Sequence, residues 1–133
     1  MGTYLSTPVT EKTEMSGDDF NSKESSPSLS WGVVDMQGWR KSMEDAHVAR
    51  TDVGLSNSSA TSDGKAKIFG VFDGHGGPEV ARFCEKHLVD VLISQDKWKA
   101  QDIGGALTDT FHVIDTMIED PSYRKDLHDL RTA

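Results

Sequence analysis

Three acidic residues stand where a carboxylate can do chemistry: Glu44 and Asp45, adjacent to each other, and Asp73, which opens the run Asp73-Gly74-His75-Gly76-Gly77. Hard carboxylate oxygens select Mg²⁺ or Mn²⁺ over metals that prefer soft ligands. The glycines after Asp73 remove side chains, so a backbone carbonyl can approach the same ion. Arg40, four residues before Glu44, offers a planar fork to a phosphate dianion. His75 adds a group able to carry a proton. Acid, cation, guanidinium and imidazole together are the parts of a metal-assisted phosphoester hydrolase. Singly, each has a plainer reading: Glu44 as a solvated strand-edge acid, Arg40 as a surface cation, His75 as a turn residue.

A strand, a glycine-rich turn and a helix start also resemble a phosphate-binding turn, because backbone N–H groups there favour anions. The dinucleotide pattern G-x-G-x-x-G would need glycine where the sequence has Glu79, and no Gly-Lys-Ser/Thr follows. Both nucleotide motifs are therefore weak.

The elements that must position these residues are legible. Trp31 to Val34 reads as a short strand and Ala46 to Val53 as a second, with Ala46, Val48 and Arg50 on one face. Ile68 to Phe72 is a short apolar run that suits a strand buried on both faces, and Gly70 within it marks a bulge or a close approach. Gly54 to Lys65 reads as a surface loop. Pro78 suits a first helical residue. Val80, Phe83, Cys84, Leu88, Val91 and Leu92 then recur at helical spacing. A second helix is expected over Ile103 to Ile118, with Ile103, Leu107, Phe111, Ile114 and Ile118 as its stripe and Asp120-Pro121 as its stop. Tyr123, Leu127 and Leu130 suggest a last short helix. Cys84 is expected as a small core residue, and His47 and His87 in structural or solvated roles. Strands first and amphipathic helices after imply an α+β fold with helices on a sheet.

The composition narrows the function. Asp and Glu number 22 against 14 Lys and Arg, a net charge of −8, which argues against nucleic acid as a partner. One cysteine excludes an internal disulfide framework and a cysteine-rich zinc site. No apolar run approaches the roughly 20 residues that span a bilayer, and no secretory signal opens the chain. A soluble, intracellular protein is expected, cytoplasmic or nuclear. The start Met1-Gly2-Thr3-Tyr4-Leu5-Ser6 matches a myristoylation pattern. One acyl chain without a polybasic patch gives only weak membrane attachment. Ser6 to Ser28 is rich in Ser, Thr, Glu and Asp. It cannot bury enough apolar surface to offset its ordering entropy, so residues 1–28 are expected to form a flexible tail and 29–133 the folded domain.

Three stretches, Met36-Gln37-Gly38-Trp39-Arg40, Met43-Glu44-Asp45-Ala46-His47 and Val71-Phe72-Asp73-Gly74-His75-Gly76-Gly77, resemble the type 2C, metal-dependent serine/threonine protein phosphatases. The likeness runs from the N-terminus to about Tyr123, and separate motifs in order make it specific. It implies a β-sandwich of mixed sheets flanked by helices, of which this chain would be the incomplete N-terminal part. It implies hydrolysis of phosphoserine and phosphothreonine by a metal-bound water, with two Mg²⁺ or Mn²⁺ ions in a complete site and phosphorylated proteins as substrates. Glu44 and Asp73 would be metal carboxylates, Asp73 bridging the ions, and the Gly74 carbonyl a further ligand. Asp45 would hold a water on the metal, Arg40 would bind the phosphate, and His75 would protonate the leaving oxygen.

Length is where the sequence departs from that family. Further strands and metal-binding aspartates are expected C-terminal to this region, and Asp102, Asp109, Asp115 and Asp126 lack the glycine-rich turns that would mark them. A missing C-terminal part, or another chain, would be needed to complete the fold. Two readings follow: part of a phosphatase, or a truncated, non-catalytic phosphatase-like chain that binds partners through its open sheet.

Overall fold

The computed structural model describes residues 4–20, 27–55 and 65–133. They fall into two units, Met1–Met43 and Glu44–Ala133.

In the first unit, β1 (Tyr4–Phe20) pairs antiparallel with β2 (Pro27–Arg40). The expected flexible tail, residues 1–28, overlaps β1 along residues 4–20. Composition counts only the apolar area a segment can bury. The ladder to β2 pairs backbone groups along the strand, a contribution that apolar composition does not count. Gly17 lies opposite Trp31, and a Cβ on Gly17 would stand 2.9 Å from the indole. The small residue on β1 thus makes room for the large ring on β2. Along β2, Leu29, Trp31, Val33 and Asp35 are half-buried while Ser30, Gly32, Val34 and Met36 are exposed. That is the period-two alternation of a strand with one covered face, and it extends well beyond the short Trp31–Val34 segment.

In the second unit, β3 (Ala46–Gly54) pairs antiparallel with β4 (Lys65–Phe72), in the register Ala46↔Phe72, Val48↔Gly70 and Arg50↔Ile68. The Gly54–Lys65 loop joins these strands, and its residues 56–64 lie outside the described structure, as does Gly2. A Cβ on Gly70 would press to 3.3 Å from the Val48 side chain, so this glycine marks a close cross-strand approach. The β4 run is covered on one face only. Phe69 and Val71 are 46% and 73% exposed, against the expectation of burial on both. The two-stranded sheet carries helices over one face, and alternate residues of β4 point away from them.

Five helical segments follow: α1 (Glu79–Ser94), α2 (Asp96–Lys99), α3 (Ile103–Glu119), a 3₁₀ turn (Pro121–Tyr123) and α4 (Arg124–Thr132). Val53, Val89, Leu92, Trp98 and Ala106 form the core, with Val48, Leu55, Ala66 and Ile68 packed against it. On α1 the buried residues are Ala81, Phe83, Leu88, Val89 and Leu92, whereas Val80 is exposed. On α3 the buried line is Ala106, Thr110 and Ile114, and Ile103, Leu107 and Phe111 are exposed. The buried face of α3 is thus turned toward its smaller residues. Thr110 is tolerated there because its hydroxyl donates to the Ala106 carbonyl at 2.7 Å. Trp98, on the short α2 that periodicity did not reveal, is buried and donates its indole N–H to the Gly54 carbonyl at 3.3 Å. The α+β class stands, with strands and helices segregated along the chain. Among the described residues, no helix is long and apolar enough to cross a membrane.

Candidate functional site

Pairing of β3 with β4 builds the site. Ala46 opposite Phe72 sets the chain entering β3, Glu44-Asp45, beside the chain leaving β4, Asp73-Gly74-His75. The two segments then meet through backbone. A Cβ on Gly74 would overlap the Glu44 carbonyl oxygen and stand 2.7 Å from its carbon. Only glycine permits this approach. Two residues on, the Gly76 N–H donates to Glu44 Oε2 at 3.1 Å. Gly76 and Gly77 have φ of +81° and +144°, a left-handed backbone that L side chains rarely adopt. The turn is therefore glycine-rich for two separate reasons, contact at position 74 and conformation at 76 and 77.

Glu44 is half-buried, whereas Asp45, Asp73 and His75 are exposed. The candidate donors on these two segments are the Glu44 and Asp73 carboxylates and the carbonyl of Gly74. All are hard oxygens, the donor set of Mg²⁺ or Mn²⁺. Among the described residues, no cluster of three or more acidic, histidine or cysteine side chains has the geometry to hold a metal ion. The chemistry of the Glu44, Asp73 and Gly74 oxygens suits a hard cation. Arg40 ends β2 in the first unit, exposed, with its carbonyl accepting from Gln37 Nε2 at 2.8 Å.

One residue at the turn escaped the sequence reading. Glu79 entered it only as the residue that spoils a dinucleotide motif. In the structure its carboxylate folds back on the turn: a Cβ on Gly77 would overlap Glu79 Oε2 and stand 3.0 Å from Cδ. That oxygen is buried and has no hydrogen-bond partner among the described residues. Its other oxygen, Oε1, lies 3.7 Å from Arg131 of α4. No spacing rule links position 79 to 131, so only the tertiary fold reveals the contact.

The histidines fall as expected in one case. His87 takes a structural role, with Nε2 at 2.8 Å from Asp126 Oδ2 and its ring against Phe83 and Tyr123. Cys84 is half-buried, and burial pushes its thiol above the ordinary range. That suits a packing residue better than a nucleophile.

Comparison with known proteins agrees with this geometry. A family model described as protein phosphatase 2C matches residues 29–132. A probable protein phosphatase 2C 3 of Paramecium tetraurelia is 40% identical over 133 residues, all of this chain and 39% of that protein. A probable protein phosphatase 2C 21 of Arabidopsis thaliana is 44% identical over 119 residues, 90% of this chain and 29% of the relative. A protein phosphatase 2C homolog 2 of Hypocrea jecorina is 39% identical over 129 residues, 96% and 28% of the two chains. The chain thus spans well under half the length of these relatives. The match runs through both candidate motifs and on to α4, and by it the chain belongs to the protein phosphatase 2C family.

Proposed function

We propose that this chain is part of a metal-dependent phosphatase that hydrolyses phosphoserine and phosphothreonine in proteins. The observation that supports the reading best is the backbone contact between Gly74 and Glu44, closed by the Gly76 amide on the Glu44 carboxylate. It gathers oxygen donors from two motifs that lie far apart in sequence.

In this reading Glu44, Asp73 and the Gly74 carbonyl hold Mg²⁺ or Mn²⁺, together with aspartates from the remainder of the domain. Such a cation, when bound, neutralises phosphate charge and lowers the pKa of coordinated water. Arg40 grips the phosphate oxygens through its fork of N–H donors. Asp45 accepts a hydrogen bond from the attacking water and fixes its direction. As the bond from phosphorus to the seryl or threonyl oxygen breaks, His75 delivers a proton to that strongly basic oxygen. The same proposal includes acylation at Gly2, which would add weak membrane attachment to cytoplasmic or nuclear residence.

The test is hydrolysis of a phosphothreonine peptide by the native protein with Mn²⁺, before and after Asp73→Asn. Activity is expected to fall by about 10²-fold or more, as for loss of a group that acts only in the transition state. A substituted protein of undiminished activity would overturn the reading. The second reading, a non-catalytic partner-binding chain, draws on the donor count, since the described residues offer only part of a cage. It predicts no metal-stimulated hydrolysis by the native protein at all.

A further inference from the structure

Helix α4 buries no residue completely, yet its register on α1 is fixed by a series of polar contacts. Arg131 faces Glu79 at 3.7 Å. Arg82 donates to the Leu130 carbonyl at 2.8 Å. Lys86 and His87 both reach Asp126, at 2.5 and 2.8 Å. Tyr123 packs edge-on against Phe83, with ring centroids 5.5 Å apart. As numbers rise along α1 they fall along α4, so the helices run antiparallel and the last turn of α4 sits at the first turn of α1. There the carboxylate of Glu79 lies against Gly77. Gly77 adjoins Gly76, whose amide holds Glu44.

We infer that Glu79 and Arg131 are positioning residues: α4, through Arg131, holds the Glu79 carboxylate against Gly77 and so sets the geometry of the Asp73–Gly77 turn. Three observations carry this. The Glu79 carboxylate has one oxygen buried without a hydrogen-bond partner among the described residues, a costly placement that needs a compensating contact. The cation available to its other oxygen is Arg131. The surface it covers is a glycine with φ of +144°, where no larger residue would leave space for the carboxylate. Docking of α4 is thereby coupled to the turn that carries Asp73 and His75. The consequence for metal binding rests on the function proposed above, but the mechanical coupling does not.

The test separates the two. In metal-free native protein, Arg131→Ala and Glu79→Gln are each expected to speed hydrogen exchange of the Gly76 amide, read by NMR. Each is also expected to weaken Mn²⁺ binding, measured by calorimetry without substrate, by about two- to fivefold, the scale of a solvent-accessible ion pair. Arg131→Lys should restore most of both. The double variant should be no worse than the worse single one, because both act through one contact. Unchanged Gly76 exchange in the single variants, or additive effects in the double, would overturn the coupling. If Asp73→Asn leaves Mn²⁺ binding intact, the metal reading fails, and Gly76 exchange alone still decides the positioning role. Arg131 is exposed, so its substitution leaves the core untouched.

Discussion

Gly74 shows how one residue sets the site. Its backbone touches the Glu44 carbonyl where any Cβ would collide, and the obstacle is backbone, which cannot rotate away. Gly74→Ala must therefore push the Asp73–Gly77 turn off the Glu44 strand. The expected result is at least a tenfold loss of Mn²⁺ affinity, about 1.4 kcal/mol, seen by titration calorimetry on the native protein, with unfolding stability reduced as well. Gly76→Ala acts differently: no atom lies within 4 Å of its Cβ position, but its φ of +81° disfavours a side chain. It should cost only about 1 kcal/mol in a denaturant melt. At this scale the sequence was informative. Glu44, Asp73 and Gly74 could be singled out as candidate oxygen donors because short-range chemistry is written in residue type. Glu79 was not, because its meaning depends on Arg131 and on a contact that exists only once α4 has docked.

Among the elements, the existence of the long helices was legible and their orientation was not. Periodicity finds α1 and α3 and the stop at Pro121, since apolar spacing and proline act locally. It assigns Leu107 and Phe111 to the core, but the buried line on α3 is Ala106, Thr110 and Ile114. Close packing of α3 against α1 and Trp98 favours small residues there, and no single-helix pattern contains that information. Leu92 lies where these elements converge and is 1% exposed. Leu92→Ala should cost about 2–5 kcal/mol, measured as a shift in the denaturant midpoint. Docking of α4 has its own signature, because its contacts are polar. Lys86 first, and His87 with it, hold the Asp126 carboxyl below its ordinary value of 3.8. A lowered folded-state pKa contributes stability that is present above the unfolded value and lost as pH falls through the folded one. Helix α4 should therefore loosen below about pH 4, seen as faster amide exchange along residues 124–132. Asp126→Asn should loosen it at neutral pH and remove that acid-dependent step.

For the molecule as a whole, what matters is how much apolar surface the described residues leave uncovered. Phe69 and Val71 on β4 and Phe111 on α3 are exposed, and among the described residues the two sheets have two strands each, so each strand has an edge that these residues leave unpaired. A two-stranded sheet is marginal by itself and needs packing partners. The curated relatives are more than twice as long as the stretch that matches this chain. In a domain of that size these surfaces have material to cover them, so the same residues that look misplaced in isolation read as interior positions. The sequence pattern of Ile68 to Phe72, apolar without alternation, carries that information: it describes a strand covered on both faces, whereas the described residues cover one. The 133-residue chain produced alone should therefore self-associate, with a mass by light scattering above 14.6 kDa that rises with concentration. Val71→Lys should shift it toward monomer without lowering its thermal midpoint, because Val71 is largely exposed there. Within a domain of the relatives' length the same substitution should instead destabilise the fold, by several kcal/mol if the side chain is buried there. Opposite signs in the two settings would locate the covering surface on the added part of such a domain, and the same sign in both would place Val71 permanently at the surface.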